Sequence, residues 1–147
     1  MPRFARLFEA AADTLNAYYQ AVADNSIDAV MSLWIDEEFA TCICADGTHL
    51  HGLENIRAGL GKQLEAQPVT IEPLDIRVYD SLGTVVYAIA EAHQPAGTAA
   101  PHMIFTTYVM VHERGEWRIA HIHASTMPME TAGQFAVKLR HGKGSLH

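Results

Sequence analysis

The sequence predicts an α+β fold in which helices pack on one face of a single curved sheet. Apolar residues recur every three or four positions in the first half of the chain, as they do in amphipathic helices. From Val69 to Ser125 they recur at every second position, as they do in strands. The joins between these strands are short, so neighbouring strands should be antiparallel. Helices followed by a run of strands are typical of an α+β layer fold.

The first two helices are predicted from apolar stripes. The stripe of the first helix has gaps of four and three residues in turn: Phe4, Phe8, Ala11, Leu15, Tyr18 and Val22. The segment ADNS interrupts it, and Ser26 is predicted to cap a second helix that ends at the acidic residues 36–38. The apolar face of that helix consists of Ile27, Val30, Met31 and Trp34.

A hairpin and a third helix follow. The segment FATCICA is predicted to be a strand, the DG dipeptide at 46–47 a tight turn, and THLH the returning strand. Leucine and isoleucine side chains at helical spacing predict a third helix from Gly52 to Gln67. Gly59 and Gly61 lie inside it, where each glycine costs about 1 kcal/mol relative to alanine.

Four long strands are predicted next: VTIEPLDIRVY, TVVYAIAEAHQ, HMIFTTYVMVHE and WRIAHIHAS. Pro73 cannot donate to a ladder, so the first of these strands is predicted to lie at an edge or to bulge there. Neither face of the later strands is plainly polar, so both faces should be covered. Helices can cover one face, and a second copy of the chain in a two-fold dimer is expected to cover the other. Residues 1–126 are predicted to form one domain, and residues 127–147 a partly flexible C-terminal tail.

The composition argues against several partners. The chain has 10 basic and 17 acidic side chains and a formal net charge of −7, so neither nucleic acid nor a membrane surface is expected as a partner. No apolar run approaches the roughly 20 residues of a membrane span, and no signal peptide is evident, so a cytoplasmic location is expected. Two cysteines, Cys42 and Cys44, provide no zinc framework, and no cofactor or metal is assigned.

Three local motifs accompany this order of elements: WIDEE after the second helix, HGLENIR at the start of the third, and the closing strand GEWRIAHIHAS. Together they resemble the nuclear transport factor 2-like superfamily, in particular its SnoaL-like branch, over roughly residues 8–126. The closing strand is also similar to the end of the association domain of calcium/calmodulin-dependent protein kinase II. The resemblance implies a cone-shaped α+β fold, with three N-terminal helices on a strongly curved, mixed or antiparallel sheet of about six strands.

The superfamily that the chain resembles contains isomerases, dehydratases, cyclases, epoxide hydrolases and non-enzymatic modules, so the fold does not decide the activity. Ketosteroid isomerase uses a tyrosine of the first helix, a carboxylate base on the first strand and an acid on the third strand of the meander. Tyr18 lies where that tyrosine would be. The base position falls at about Cys42 and the acid position near Thr107 or Tyr108, so neither holds a carboxylate. That mechanism is therefore not expected, and Tyr18 is either a core or a cavity residue.

The closing strand leaves three roles open for its histidines. Strict alternation places four residues on one side of the strand as dimer-interface candidates: Trp117, Ile119, His121 and His123. The resemblance implies that this side faces outward, where related proteins dimerise. A metal site would need a third ligand such as His93 or His112, and an acid–base role in the cavity is the third alternative.

The resemblance also nominates residues for the apolar cavity of the cone. The candidates are Tyr18, Trp34, Cys42, Cys44, Ala88, Ala90, His102, Tyr108 and Ile122. Alanines on adjacent strands would leave room for an apolar ligand. His102 is the best single titratable candidate, and Cys42 is expected to be a small buried side chain unless a neighbour lowers its pKa.

The predicted function is the binding of a small, largely apolar or amphipathic organic ligand in this cavity. Acid–base lyase, isomerase or hydrolase activity stays open, because the sequence offers no complete catalytic set. The alternative is a non-catalytic homo-oligomeric assembly or accessory module that works through the outer sheet face. A homodimer is expected in either case.

Overall fold

The computed structural model describes residues 3–97 and 100–145, with side chains over 10–97 and 100–139. Its helices are α1 (Arg3–Ala23), α2 (Ile27–Met31), α3 (Gly52–Ala66) and α4 (Met129–Ser145). Its strands are β1 (Thr41–Ile43), β2 (His49–His51), β3 (Val69–Ser81), β4 (Thr84–Pro95), β5 (His102–Glu113) and β6 (Glu116–Thr126). The predicted α+β class is confirmed. The predicted stripe residues Phe4 and Phe8 lie outside the described side chains, and residues 98 and 99 of the predicted β4–β5 join lie outside the described residues.

The strands form one six-stranded mixed sheet in the order β2-β1-β6-β5-β4-β3. All neighbouring pairs are antiparallel except β1 and β6, which are parallel. The predicted edge position of β3 is confirmed, and so is its irregularity, because the register shifts between Pro73 and Asp75. The turn at Asp46 and Gly47 joins β1 to β2 as predicted, with Gly47 at a φ of 91°.

The core lies between α1–α3 and the inner face of the sheet. Helix α1 contacts β3 at one edge and also β6, which lies beyond β4 and β5, so the sheet curves around this helix. Buried members of the α1 stripe, including Ala11, Leu15 and Val22, pack in one apolar cluster with Ile56 of α3. Gly59 permits the close packing of α3 on β2, because a Cβ at this position would lie 2.5 Å from Leu50 Cδ1.

Helix α2 is shorter than predicted. Ser26 caps it as expected, with its Oγ accepting a hydrogen bond from the Ala29 amide at 3.2 Å. The helix stops at Met31, however, and Trp34 forms a parallel bridge with Ile119 of β6. The chain leaves the helix because the backbone on both sides of Trp34 bonds to Ile119, so these groups cannot continue the helical ladder.

The predicted C-terminal tail contains a helix, α4, which the sequence analysis missed. Four of its side chains follow helical spacing and pack on the outer face of the sheet: Ala132, Phe135, Ala136 and Leu139. Beneath them lie Ala90, Ala92 and Met103, which form a second apolar cluster. Within the residues that the structure describes, none of the helices has both the length and the apolar character that a membrane crossing requires.

A β-bulge corrects the predicted facing of β6. Val109 of β5 pairs with His121, but the next residue, Met110, pairs with Ile119, so Ala120 has no partner on β5. The extra residue reverses the alternation. Trp117 and Ile119 are buried in the inner core, whereas His121 and His123 lie on the outer face. The expectation that Trp117 and Ile119 share the outer face with the two histidines is therefore wrong.

Candidate functional site

Two adjoining cavities lie between the sheet and the helices. The first, here called the sheet cavity, has a volume of about 130 Å³ and reaches the inner surfaces of β1, β5 and β6. The second, the helix cavity, has a volume of about 190 Å³ and extends between α1, α2, α3 and β3. Five residues line both cavities: Tyr18, Leu60, Gln63, Ile71 and His93.

A fully buried carboxylate, Glu91, lies at the centre of a polar network beside the sheet cavity. Its Oε2 accepts hydrogen bonds from the hydroxyls of Tyr19 at 2.7 Å and Tyr108 at 2.6 Å. Its Oε1 accepts one from Thr106 Oγ1 at 2.7 Å and lies 2.8 Å from His93 Nε2. An ionised carboxylate has about four acceptor sites, and these four partners match that number.

The strand pleat and the helix together build this network. Glu91 and His93 are two residues apart on β4, so their side chains share the inner face, and Thr106 and Tyr108 are related in the same way on β5. Tyr19 reaches the carboxylate from α1. A buried charge is tolerated only when it is paired and hydrogen-bonded, and three elements of the fold supply its partners here.

The tyrosines of the network are held in the protonated, donating form. Burial, followed by the charge of Glu91, raises the pKa of Tyr19 and Tyr108 above the ordinary value of tyrosine. The Tyr18 and Tyr108 rings meet edge to face with centroids 5.6 Å apart. Burial is also the largest cause that raises the pKa of Tyr18, followed by Cys42 and Glu91. No hydrogen bond of the Tyr18 hydroxyl is found among the described residues.

His93 connects the buried carboxylate to the cavities. Its side chain is 24% exposed and lines both of them. With Nε2 donating to Glu91, the neutral ring has an unprotonated Nδ1, for which the described part of the chain offers no partner. A carboxylate that orients an imidazole through one nitrogen and leaves the other available forms a general acid–base pair.

The two cysteines also line the sheet cavity. Cys42 lies in β1 and Cys44 directly after it, both buried and reduced. A hydrogen bond from the Cys42 thiol lowers the pKa of Cys44, and Gln63 assists, while burial opposes the shift. The same hydrogen bond and burial raise the pKa of Cys42.

The structure brings together five of the nine predicted cavity residues around the sheet cavity: Tyr18, Cys42, Cys44, Tyr108 and Ile122. Ala88 and Ala90 do not belong to it. Ala88 is exposed on the outer face and Ala90 packs beneath α4, because the odd-numbered residues of β4, such as Ile89, face the core. Trp34 is buried in the core and lines none of the cavities described here. His102 lines a third cavity of about 360 Å³, which shares His93 with the other two.

The sequence analysis missed Glu91 and its partners Tyr19 and Thr106, and it considered His93 only as a metal ligand. A signal was nevertheless present, because TVVYAIAEAHQ contains Glu91 but no other Asp, Glu, Lys or Arg. Glu91 lies two residues beyond Ile89 and four beyond Tyr87, so its side chain should face the same side of the strand as these apolar residues. The pattern therefore places a carboxylate on the side that faces the core.

Four histidines surround one part of the outer face. His51 and His121 flank Thr41 across the sheet, and His49 and His123 flank Ile43. The rings of His49 and His51 on β2 have centroids 4.0 Å apart, and the rings of His121 and His123 on β6 have centroids 6.1 Å apart. Among the described residues, no group of three or more ligand-type side chains is arranged to hold a metal ion.

The comparisons with known proteins agree with this architecture. Residues 11–130 match the family model of the SnoaL-like domain. No curated protein sequence matches the chain. The fold is similar to that of a candidate dehydratase of the nuclear transport factor 2-like family from Streptomyces avermitilis, with a TM-score of 0.76, 16% identity, and coverage of 82% of this chain and 95% of that one.

Two further solved structures are similar. One is a candidate association domain of calcium/calmodulin-dependent protein kinase type II from Thiobacillus denitrificans, with a TM-score of 0.70, 23% identity, and coverage of 78% of this chain and 93% of that one. The other is a candidate ketosteroid isomerase from Shewanella frigidimarina, with a TM-score of 0.67, 17% identity, and coverage of 79% and 94%. At these identities the likeness concerns the fold alone, and it confirms the expected nuclear transport factor 2-like fold.

Protonation of His121 should contribute to the pH dependence of the free energy of unfolding. Burial, followed by His123 and His49, lowers its pKa, while a backbone hydrogen bond with Thr41 opposes the shift. As the pH falls below the ordinary histidine value of about 6.5, the unfolded chain therefore binds a proton that the folded chain resists. We expect stability to decrease from pH 7.5 to pH 5, and His121→Gln to weaken that decrease, in urea unfolding at each pH.

A matched control for this experiment is His102→Gln, which removes an exposed histidine at the start of β5. It should leave the pH dependence of unfolding close to that of the parent. Equal slopes for the parent and His121→Gln would contradict the assignment.

Replacement of Glu91 by leucine should be severely destabilising. The variant leaves three hydroxyls and an imidazole without their buried acceptor, which should lower the free energy of unfolding by about 3–5 kcal/mol. Adding Tyr19→Phe, Tyr108→Phe and Thr106→Val should recover part of the loss, because the stranded donors are then removed as well. Urea denaturation with a constant m-value is the measurement.

The control for Glu91 is Glu65→Leu on the exposed side of α3, which should change stability by no more than about 0.5 kcal/mol. A Glu91→Leu protein as stable as the parent would show that the network does not hold the fold together.

Proposed function

Because the chain belongs to the SnoaL-like domain family, we propose that it binds a small, largely apolar, uncharged organic molecule in the sheet cavity and moves a proton on it through His93. The observation that carries this proposal is the Glu91–His93 pair, with a fully buried carboxylate 2.8 Å from one nitrogen of a cavity-lining imidazole. Two proteins of similar fold, the candidate dehydratase and the candidate ketosteroid isomerase, support proton-transfer chemistry as the class to test.

The lining of the sheet cavity supports an apolar ligand with few polar groups. Leu60, Ile71 and Ile122 offer hydrocarbon surface, and the polar side chains of the lining are hydroxyls, thiols, one amide and the His93 imidazole. No Lys or Arg occurs among the described residues that line either cavity. The Glu91 carboxylate, with no lining cation beside it, disfavours an anionic ligand. Its oxygens already have four partners, so none is left to pair with a cationic ligand, and the ligand should be uncharged.

The proposed reaction is removal of a proton from a carbon next to a carbonyl group. Nδ1 of His93 accepts this proton, and the Glu91 carboxylate stabilises the resulting imidazolium through Nε2. Negative charge then develops on the ligand oxygen, to which the hydroxyl of Tyr18 can donate a hydrogen bond. Return of the proton to a different atom completes an isomerisation, and loss of a hydroxide from the neighbouring carbon completes a dehydration.

The base in this proposal is not the one that the sequence analysis sought. Isomerases of the related kind place a carboxylate where this chain has Cys42. Here a histidine on β4 provides the base and the carboxylate lies behind it. The cavity therefore supports the same class of chemistry with a different arrangement of groups.

We expect the protein to catalyse exchange of ketone α-protons. Small cyclic ketones in D2O, followed by proton NMR, report this exchange without knowledge of the natural substrate. General base catalysis contributes about 10²–10⁴-fold, so His93→Gln should slow the exchange by at least about 100-fold. Ala124→Phe, which fills the sheet cavity, should abolish both the exchange and the thermal stabilisation by the ketone.

The matched control is Ala88→Phe, the same change at an exposed position of the outer face. It should leave exchange and ketone binding unchanged. Undiminished exchange in the His93→Gln protein would refute the assigned base, and undiminished ketone binding by the Ala124→Phe protein would refute the assigned cavity.

A homodimer through the outer face is proposed as the assembled form. One row of paired residues crosses this face from β3 to β2, with apolar side chains followed by polar ones: Tyr79, Val86, Val109, His121, Thr41 and His51. Tyr79 is 68% exposed, which is unusual for a large ring on a sheet face without a cover. The described side chains of α4, which end at residue 139, cover the part of the face near Ala90 and Met103.

Sedimentation equilibrium tests this assembly. The parent should sediment as a dimer of 16.2 kDa chains, and Val109→Asp should sediment as a monomer, because it places a charge in the row. The control is Lys62→Asp, which introduces a carboxylate on the exposed side of α3, away from the outer face of the sheet, and should leave the dimer intact. If the parent protein sediments as a monomer, both the proposed homodimer and the alternative function as a homo-oligomeric assembly module are contradicted.

A further inference from the structure

The sheet cavity contains two thiols that the proposed proton transfer does not use. Cys42 and Cys44 are 3% and 8% exposed, and both belong to the wall that faces the cavity. Free cysteines are often inert small hydrophobes in a core. These two differ, because they lie together at a cavity surface where a small molecule could reach sulfur.

The hairpin fixes the position of both thiols. Cys42 pairs with Leu50 on one side and with Ile122 on the other, so its side chain shares the inner face with them. The amide of Cys44 donates to Thr48 O at 2.8 Å, and its carbonyl accepts from the Gly47 amide at 2.8 Å. Two residues apart on an extended segment, the two sulfurs point to the same side.

A second observation independent of the cysteines points to a ligand at this place. The hydroxyl of Tyr18 lines the same cavity, its residue is only 8% exposed, and it has no hydrogen-bond partner among the described residues. The hydroxyl is not sealed off from solvent, so it is free to donate a hydrogen bond to an acceptor that enters the cavity. Both cysteines also contribute to the raised pKa of Tyr18, which places its hydroxyl near the thiols.

We propose that Cys44 is a nucleophile that adds reversibly to small, uncharged α,β-unsaturated carbonyl compounds bound in the sheet cavity. This inference rests on the proposed function in one respect only, namely that organic ligands enter the cavity. It does not require His93 to transfer a proton. The electrophile must be uncharged for the reason given above, and it must be small because the cavity measures about 130 Å³.

The addition balances without any further reactant. The Cys44 sulfur, as thiolate, attacks the β-carbon, so a carbon–sulfur bond forms while the carbon–carbon π bond breaks. The electron pair moves to the carbonyl oxygen, where the Tyr18 hydroxyl can donate to the enolate. The α-carbon then takes a proton from the Cys42 thiol, which regains one from water. The net change is addition of S–H across the double bond, and the reverse sequence releases the ligand.

The electrostatics of the pair favour Cys44 over Cys42 as the attacking group. The neighbouring Cys42 side chain is the largest influence on the pKa of Cys44 and lowers it; Gln63 acts in the same direction, while burial and the charge of Asp46 oppose the shift. The pKa of Cys42 is raised by the same contact. Since the thiolate is the reactive form, the pair provides one nucleophile and one proton donor. Cys42 is thus a positioning residue for Cys44 and a source of the proton.

The test uses intact-protein mass spectrometry with cyclohex-2-enone as the probe. The parent should gain one adduct, and peptide mapping should locate it on Cys44. The reference is an exposed thiol, Ser81→Cys at the end of β3, in a Cys42→Ser, Cys44→Ser background. At pH 7 we expect Cys44 to react about tenfold faster than this reference, because more of it is thiolate.

The pH profile separates a reactive pair from a merely accessible thiol. The adduct rate on Cys44 should level off at a lower pH than the rate on the Ser81→Cys reference. Cys42→Ala removes the donor, so the levelling of the Cys44 rate should move to higher pH. Thermal unfolding of each variant shows that it is folded, and Cys44→Ala provides a second variant if Cys44→Ser fails that check.

Parallel measurements with cyclohexanone, the saturated analogue, distinguish this proposal from the proposed function. Stabilisation by cyclohexanone without any enone adduct would overturn the nucleophile and leave the cavity function standing. An adduct on Cys44 without stabilisation by cyclohexanone would support the nucleophile and count against the ligand proposed above. An adduct on Cys42, or a Cys44 rate no greater than that of the exposed reference, would also overturn the nucleophile.

Discussion

The burial of one carboxylate constrains much of this structure. Glu91 is fully enclosed, and its four partners come from α1, β4 and β5. A charge in such a place must be paired with good geometry or it destabilises the fold. The helix therefore has to lie at one distance from the sheet, with Tyr19 directed inward, and the two strands must keep one register. The same arrangement orients His93 toward the cavities.

The cavities arise because the sheet curves around α1 and the side chains of the core do not fill all of the space that it encloses. The large side chains of the core, such as Trp117 and Met110, occupy the space toward one end of the sheet. Toward the other end lie Ile122 and a group of tyrosines and cysteines, and the polar atoms of that group need partners or solvent. One end of the sheet thus supplies the apolar packing of the core, and the other end holds the polar groups that line the cavities.

The sequence was sufficient to predict the α+β class, most of the helices and strands, and the family. Local signals decided α3, the hairpin at Gly47 and the irregularity at Pro73, because each depends on backbone properties of a few neighbouring residues. The rest depends on pairing between distant segments. Helix α2 ends early because the chain beside Trp34 bonds to Ile119, and no local pattern contains that contact. The alternation of residues along β4 could have predicted that Glu91 faces the core. It could not have predicted that Tyr19 and Thr106 contact the Glu91 carboxylate.

The bulge at Ala120 has a consequence for how this chain can vary. Before it, the odd-numbered residues of β6 pack in the core, and after it the odd-numbered residues face outward. In a regular strand, residues two apart face the same side, so Ile119 and His121 face opposite sides only because the ladder is interrupted between them. Deletion of Ala120 would leave Ile119 opposite Met110 and His121 opposite Val109 in regular alternation, so both halves of the strand would keep their facing and only the bulge would be lost. The strand can therefore present the same two faces in two ways, with a bulge at Ala120 or with one residue fewer.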